Sequence, residues 1–182
     1  MSQKDMQRWD QKWTENDGKP FAPHPLLLKN EALLSGGRAL DLACGLGQNS
    51  VWLAGLGYQV VGVDISGVAL TIALSQANKR VLSDRVVFAQ MDLDQWSLPT
   101  NMFDLICVFR FLNRRLFPEI KTGLRPGGLL FYSTRHIGIL KRQPAANRDF
   151  LLEPGELFSE FSDWEIIHYE EGKDNEQLIA RI

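Results

Sequence analysis

The amino-acid sequence predicts an α/β fold in which a mostly parallel β-sheet is covered by helices on both faces. Five runs of residues are apolar throughout, and segments with helical spacing separate them, a pattern that is typical of buried parallel strands. Near the end of the chain, a tight polar link at 172–175 joins two more strand-like runs, which indicates an antiparallel hairpin at one sheet edge. These observations predict seven strands, of which the last is reversed.

The predicted elements follow one another without an internal repeat. Strands are expected at 39–43, 58–64, 85–92, 103–111, 129–135, 164–171 and 177–182. Helices are expected at 6–13, 49–57, 66–82 and 155–161, and a further helix carries Leu116 and Ile120 and leads into a turn at 124–128. In 66–82, small and apolar residues recur every three or four positions, as one face of a helix requires. The Gly/Pro-rich connector 16–30 is interpreted either as a lid or as an arm packed on the domain.

Composition and charge narrow the class of protein. The 182 residues suffice for one domain with one large core, and 45% hydrophobic and 23% charged residues are ordinary for a globular domain. A net charge of −2 argues against a general polyanion binder, so we expect no nucleic-acid partner. The polar N-terminus and the lack of a membrane-length apolar run predict a cytoplasmic protein with no membrane partner. Cys44 and Cys107 are expected to be reduced packing residues, and the chain to be a monomer or a weak homodimer.

A glycine-bearing turn, Ala43 to Ser50, joins the first strand to the following helix. Gly45 and Gly47 match the first two glycines of the dinucleotide fingerprint G-x-G-x-x-G, which places a pyrophosphate at a helix N-terminus. Ser50 occupies the third glycine position, so the match is partial. A tight strand-to-helix turn that holds no ligand is the alternative interpretation.

Three acids near strand ends point to a different ligand. Asp41 lies inside an otherwise apolar strand, where a carboxylate is costly unless it is paired or liganded. Asp64 and Asp92 end the next two strands, and ligands of open α/β sheets bind at the carboxyl ends of strands. Asp41 would meet an ammonium group, Asp64 the two ribose hydroxyls and Asp92 an adenine amino group, with Met91 and Leu93 packing beside the base. S-adenosylmethionine has these groups, a cationic sulfonium and no pyrophosphate.

The segment "LDLACGLGQNSVWLAGLGYQVVGVDIS" resembles motif I and the following acidic strand of class I S-adenosylmethionine-dependent methyltransferases, especially their small tellurite-resistance-type branch. The likeness continues in order through "MDLD", "FDLI", "LRPGGLL" and "LEPGELFSEFSDWEIIHYEE". It implies a single Rossmann-like three-layer domain, with a seven-stranded sheet of order 3-2-1-4-5-7-6 and an antiparallel last strand. Residues 38–182 would form the methyltransferase domain, and 1–37 an N-terminal arm and helix that cover the cofactor site.

The resemblance also implies which residues contact the cofactor. Besides the three acids, the positions are Ala43, Gly45, Gly47, Asn49, Ile65, Met91, Leu93 and Phe109. Ala43 stands where many family members carry glycine, and we expect its φ to be negative. Trp9, Lys12 and Trp13 of the N-terminal "WDQKW" either cap the cofactor or pack against the domain. No metal is expected, because the three histidines are far apart and lack ligand spacing.

The acceptor side is expected beyond the fourth and fifth strands. Methyl transfer from a sulfonium is an in-line displacement, so the protein must mainly align the nucleophile and exclude water. The substrate candidates are Arg110, Phe111, Arg114 and His136, of which Arg110 and His136 are also the catalytic candidates. Arg110 or Arg114 would hold an anionic group, and His136 would act as general base. A solvated helix start and a surface-loop histidine are the alternatives, and 137–150 is either a closing segment or an ordinary exposed loop.

The sequence therefore predicts a methyltransferase for a small-molecule nucleophile: a thiol, an oxyanion such as tellurite or selenite, or a small metabolite. After the fourth strand the chain reads "RFLNRR", whereas amino-methylating nucleic-acid enzymes carry a Pro-Pro-aromatic signature there. Two other hypotheses stay open. One is a protein that binds S-adenosylmethionine or S-adenosylhomocysteine without turnover. The other, which Ser50 disfavours, is an NAD-dependent oxidoreductase.

Overall fold

A computed structural model describes residues 3–15 and 21–182. Its α-helices are α1 (Gln3–Thr14), α2 (Pro25–Lys29), α3 (Gln48–Gly55), α4 (Gly67–Lys79), α5 (Leu116–Gly123) and α6 (Glu156–Glu160). Its strands are β1 (Arg38–Leu42), β2 (Gln59–Asp64), β3 (Val86–Gln90), β4 (Phe103–Phe109), β5 (Leu124–Arg135), β6 (Glu165–Glu171) and β7 (Asn175–Arg181). Short 3-10 helices lie at Glu31–Leu33, Ile137–Lys141 and Arg148–Phe150.

The strands form one sheet of seven in the order β3-β2-β1-β4-β5-β7-β6. β1 pairs with β2, β2 with β3, and β4 with β5, in each case in parallel. β7 runs antiparallel to both β5 and β6. The sequence-based prediction of the fold class, the strand order and the reversed last strand is confirmed.

The first compact unit of the chain ends at Ser97 and contains β1 to β3. β1 is buried from its second residue onwards, and the alanines Ala69, Ala73 and Ala77 form the buried stripe of α4. Their spacing of four places them on one helix face, and small side chains allow a helix to pack closely on a sheet. Ser66 caps α4, because its Oγ accepts the backbone N–H of Ala69 at 3.1 Å.

The second compact unit, Leu98–Ile182, contains β4 to β7. The predicted turn at 124–128 lies inside β5 instead. Phe103 of β4 pairs with Leu124, whereas Leu105 pairs with Leu129, so the register jumps across the Arg-Pro-Gly-Gly segment. Gly127 has a φ of +80° there, which a glycine adopts without a steric penalty. The segment is an irregularity within a strand, because paired residues continue on both sides of it.

Buried Glu176 of β7 fixes the start of α6 within this second unit. Its Oε1 accepts the N–H of Gly155 at 2.6 Å, and its Oε2 accepts the N–H of Leu157 at 3.0 Å. These are amides that a helix N-terminus leaves without intrahelical partners. The carboxylate of one strand therefore supplies the cap that Gly155, which has no side chain, cannot provide.

The connector after α1 is described from Phe21 onwards, and its first part, 16–20, lies outside the described residues. It contains a short helix, α2, that the sequence analysis did not predict. Pro25 occupies its first turn, and Leu26 and Leu27 are buried. The helices of the described ranges do not combine the length and apolar composition that a bilayer span requires.

Candidate cofactor and acceptor sites

The glycine turn between β1 and α3 is held by the acid at the end of β2. Asp64 accepts the N–H of Gly45 through Oδ2 at 2.8 Å and the N–H of Ser66 through Oδ1 at 2.9 Å. Asp64 itself is buried, and burial raises its pKa above the ordinary value although these backbone donors oppose the rise. Each carboxylate oxygen keeps a further lone pair for a hydroxyl donor. The turn and the strand end thus form one hydrogen-bonded unit.

Gly47 is the tightest point of this turn. Its φ is +74°, and a Cβ placed on it would lie 2.8 Å from Cβ of Ala73 and 2.9 Å from Cζ of Phe88. Both the backbone conformation and the space therefore require glycine at this position. The requirement comes from packing of the turn on α4 and β3, which is independent of any ligand.

Ala43 corrects one expectation from the sequence. Its φ is +54°, in the left-handed region, whereas a negative value was predicted. An L-residue in this region costs roughly 1–2 kcal/mol because its Cβ crowds the neighbouring carbonyl. The chain accepts this strain at the carboxyl end of β1, where the turn must begin, and glycine at the same position would relieve it.

Asp41 lies beneath the turn, with 1% of its surface exposed. Its Oδ2 accepts the hydroxyl of Ser50, itself fully buried, at 2.6 Å. Burial raises the pKa of Asp41 from an ordinary 3.8 to about 7, while hydrogen bonds from Ser50 and Asn49 oppose that rise. The predicted contact between Asp41 and a ligand ammonium group stays a prediction. The structure supplies a protein partner for this carboxylate, Ser50, which the sequence analysis treated only as a missing glycine.

Asn49 and Ile65, two other predicted cofactor residues, flank the same region. The Oδ1 of Asn49 accepts the backbone N–H of His24 at 2.8 Å, so it holds the segment that leads into α2. Ile65 is buried, and its carbonyl accepts Nε2 of Gln90 at 2.9 Å. Both residues are positioned by contacts within the first unit, and their predicted role with a cofactor stays a prediction.

The end of β3 brings the third predicted acid to this region. The N–H of Met91 donates to the carbonyl of Asp64 at 2.9 Å, which places the residues after β3 beside the end of β2. Asp92 accepts the N–H of Asp94 at 2.9 Å, and Leu93 is fully buried. A carboxylate, a half-buried thioether and an aliphatic side chain are adjacent here, and their predicted contacts with an adenine stay a prediction.

Helix α1 covers the glycine turn. The ring of Trp13 lies against Gly45, since a Cβ on that glycine would meet Trp13 Cζ2 at 3.3 Å. Trp9 and Trp13 are stacked with ring centroids 6.1 Å apart, and Nζ of Lys12 lies 4.1 Å from the centroid of the Trp9 ring. The three residues predicted to cap the cofactor thus form one cluster of stacked and cation–π contacts.

Arg110 stands at the carboxyl end of β4 in an unusual backbone conformation. Its φ is +59°, and its N–H donates to the carbonyl of Ser133 on β5 at 2.7 Å. Among residues 3–15 and 21–182, no hydrogen-bond or ion-pair partner of its guanidinium is found, and the side chain is exposed. Phe109 before it is buried, and the carbonyl of Phe111 after it accepts the hydroxyl of Tyr132 at 3.2 Å. A strained, available cation at a strand end is typical of a ligand-binding position.

Arg114 does not share this availability. Its Nε and Nη2 contact the two carboxylate oxygens of Glu156 at 2.5 and 2.8 Å, and Nη2 also donates to the carbonyl of Leu151 at 2.9 Å. A bidentate pair of this kind uses the planar fork of the guanidinium. The geometry favours a structural role for Arg114, tying the segment after β4 to α6, over the predicted contact with substrate.

His136 is likewise engaged on both sides of its ring. Nδ1 accepts the N–H of Gly138 at 3.0 Å, so Nδ1 carries no proton. Nε2 lies 2.9 Å from the carbonyl oxygen of Gly172, to which its proton is donated. The ring is buried, and backbone groups engage both of its nitrogens. This arrangement favours a structural role for the histidine over the predicted role as general base.

Sequence reasoning missed three residues of these networks: Asp10, Ser66 and Glu156. Ser66 carried a usable signal, because a serine directly before an amphipathic run is a common helix cap. Asp10 and Glu156 carried none, since their partners are 56 and 42 positions away in sequence. In the part of the chain that the structure describes, no group of three or more His, Cys, Asp or Glu side chains is arranged to hold a metal ion.

Comparison with known proteins identifies the domain. Residues 39–128 match a sequence family described as a methyltransferase domain. The ubiquinone biosynthesis O-methyltransferase of Nitrosococcus oceani is 31% identical over 148 residues, which cover 76% of this chain and 58% of that protein. The ribosomal RNA small subunit methyltransferase C of Alcanivorax borkumensis is 33% identical over 105 residues, covering 52% of this chain and 31% of that protein. The chain thus spans less than two thirds of the length of these relatives.

Solved structures agree with the fold. TehB from Haemophilus influenzae superposes with a TM-score of 0.78 at 20% identity, covering 95% of this chain and 66% of TehB. At this identity the likeness concerns the fold alone. The family resemblance seen in the sequence is confirmed. Residues 39–128 belong to a methyltransferase domain family, and the chain has the fold of the S-adenosylmethionine-dependent methyltransferases, whose cofactor is S-adenosylmethionine.

Proposed function

We propose that this protein transfers the methyl group of S-adenosylmethionine to a small-molecule nucleophile that carries negative charge. The observation on which the proposal depends is the network around Asp64, which joins the glycine turn to the ends of β2 and β3. It presents a carboxylate beside backbone amides and apolar surface in a domain of the methyltransferase family. When bound, S-adenosylmethionine supplies an activated methyl group, so alignment of the acceptor is the main task that remains.

The residues of the first unit fit the parts of this cofactor. Asp64 offers its remaining lone pairs to ribose hydroxyls, and Asp92 offers a carboxylate to the adenine amino group. Met91 and Leu93 offer apolar contacts to the flat base. Trp13 lies over Gly45 and covers the turn, on which the methionine portion would rest. Polar groups within a mostly apolar surface are what a site for a small cofactor needs.

The acceptor is small rather than a nucleic acid. One relative is named as a ribosomal RNA methyltransferase and another as a ubiquinone biosynthesis O-methyltransferase. Similarity to these relatives therefore does not decide between a nucleic-acid acceptor and a small-molecule acceptor. The chain has 20 Lys and Arg residues against 22 Asp and Glu, whereas neutralising many phosphates normally needs a basic surface. This balance supports a small acceptor such as a thiol, an oxyanion of the tellurite or selenite type, or another small metabolite.

The acceptor also carries its own negative charge. The exposed guanidinium of Arg110 is available to hold an anion by charge-assisted hydrogen bonds. His136 has both ring nitrogens engaged, so it is not available as a base. A nucleophile that is already ionised, such as a thiolate or an oxyanion, needs no base before it attacks.

Calorimetry with three ligands tests the cofactor part of the proposal. We expect S-adenosylmethionine and S-adenosylhomocysteine to bind and NAD not to bind, because the turn lacks the third glycine of the dinucleotide fingerprint. Transfer of labelled methyl to a panel of thiols and oxyanions then separates an enzyme from a pure binder. Binding of NAD alone, or binding of the sulfonium compound without transfer to any acceptor, would contradict the proposal.

Variants of Arg110 test the acceptor part. R110A removes a charge-assisted contact and should raise the KM for an anionic acceptor by about ten- to a hundredfold, with an unchanged KM for S-adenosylmethionine. R110K keeps the charge, and its KM for the anionic acceptor should lie between those of wild type and R110A. R115A is the matched control, because it removes the same charge from an arginine paired with Glu119 at 2.6 Å. Equal kinetics of R110A and R115A would remove Arg110 from the acceptor site.

A further inference from the structure

Asp10 fastens helix α1 to the rest of the first unit. Its Oδ1 accepts the hydroxyl of Ser66 at 2.5 Å and the backbone N–H of Val68 at 3.3 Å. Both donors belong to the start of α4, where unpaired amides and the helix dipole favour a negative charge. A carboxylate on one helix therefore caps the N-terminus of another that is distant in sequence.

This contact continues directly into the candidate cofactor site. Ser66 donates its hydroxyl to Asp10 and its backbone N–H to Asp64. Asp64 in turn accepts the N–H of Gly45, against which Trp13 packs. The path Asp10–Ser66–Asp64–Gly45–Trp13 is closed, since Asp10 and Trp13 lie one turn apart on α1. The position of α1 and the shape of the glycine turn are thus set by the same contacts.

Helix α1 depends on such contacts for its position. It has 12 residues, a length at which an isolated helix in water is marginal even with favourable residues. Its sequence is polar, and its inward side offers Met6, which Gln90 Nε2 approaches at 3.5 Å from Sδ, together with the Trp9 and Trp13 pair. A short charge-assisted hydrogen bond among these contacts fixes both the rotation of α1 and its shift along its own axis.

We infer that Asp10 is a positioning residue for the cofactor, which latches α1 so that Trp13 closes over the glycine turn. The inference rests on the proposed function, and it concerns retention of the cofactor rather than the transfer step. With the latch intact, α1 must release Ser66 before a cofactor on the turn can leave. Without it, α1 lifts more often and the cofactor dissociates faster, while transfer at saturating cofactor proceeds as before.

Two variants and a control test this role. D10A removes the acceptor and should weaken S-adenosylhomocysteine binding about tenfold, through a faster off-rate, and raise the KM for S-adenosylmethionine with little change in kcat. D10N keeps an oxygen acceptor for Ser66, and its affinity for S-adenosylhomocysteine should stay within about threefold of that of wild type. D5A is the matched control, because Asp5 is a carboxylate of the same helix paired with Arg8 at 3.2 Å. D5A should bind as wild type does.

Hydrogen exchange supplies a readout that does not depend on activity. Amides of residues 3–14 should exchange faster in D10A than in D5A, whereas amides of β1 and β2 should exchange at equal rates in both. Equal exchange of α1 in the two variants, or equal affinity and off-rate for S-adenosylhomocysteine, overturns the latch. If wild-type protein does not bind S-adenosylhomocysteine, the proposed function fails, and faster exchange of α1 in D10A then still supports Asp10 as the residue that fastens the helix.

Discussion

The buried carboxyl of Asp41 should make the stability of this protein depend on pH in a specific direction. Its pKa rises from 3.8 to about 7 on folding, because burial disfavours the charged form. Below pH 3.8 the folded and the unfolded chain both hold the proton. Between about pH 4 and pH 7 the folded chain holds it and the unfolded chain does not, so the free energy of unfolding falls as the pH rises.

The size of the effect follows from the difference between the two pKa values. A difference of about three pH units, at about 1.36 kcal/mol each, corresponds to about 4 kcal/mol of stability that is present at pH 4 and lost by pH 8. The D41N variant cannot titrate and lacks this contribution. The free energy of unfolding of wild type minus that of D41N should therefore fall by about 4 kcal/mol between pH 4 and pH 8.

Urea denaturation of the two proteins without ligand at several pH values measures this difference. Subtracting one curve from the other cancels the titration of shared groups that do not interact with Asp41, such as Glu176. D84N, which removes an exposed carboxylate, controls for the change in net charge and should stay within about 0.5 kcal/mol of wild type throughout. A wild-type minus D41N difference that is the same at pH 4 and pH 8 would refute the reasoning.

Three further substitutions test individual contacts. A43G should raise the free energy of unfolding by about 0.5–1 kcal/mol, because relief of the strained φ exceeds the entropy cost of glycine, and a lower urea midpoint would count against this. G47A should lower it by about 2–4 kcal/mol, since the added methyl meets Ala73 and Phe88 below 3 Å, and a wild-type midpoint would contradict that steric argument. R114A should cost only about 1 kcal/mol, because the ion pair is partly exposed, but it should speed amide exchange at 149–151. Unchanged exchange there would show that this arginine does not hold the segment.

The strands were predictable because their apolar runs are long and clearly bounded. The run 58–64 becomes Gln59–Asp64, and 103–111 becomes Phe103–Phe109, so only the ends differ. β5 was the exception, since Pro126 and Gly127 are typical of turns, while the observed register shift shows a strand that continues past them. Local sequence identifies residues that interrupt regular structure. Whether a neighbouring strand pairs on both sides of the interruption depends on tertiary contacts.

The candidate site was predictable only where local sequence carries the chemistry. An acid that ends an apolar strand after a glycine turn marks Asp64, and its contact with Gly45 spans 19 positions. The engagement of Arg114 and His136 depends on partners 42 and 36 positions away, which no local pattern reveals. Both residues have the right chemical type for a role with substrate, and both are occupied by protein groups instead. The left-handed φ of Ala43 was equally hidden, because alanine normally indicates the opposite conformation.

The buried carboxylate of Glu176 gives the last strand an influence beyond the sheet edge. Its two oxygens accept the N–H groups of Gly155 and Leu157. Glu156, which lies between these two residues, pairs with Arg114, and Arg114 follows Arg110 by four positions. A substitution that distorts the hairpin of β6 and β7 would therefore disturb these contacts in turn and loosen the loop after β4. No residue of the hairpin need contact a substrate for this to happen. Engineering of that loop for a new acceptor should accordingly begin by leaving the tail intact.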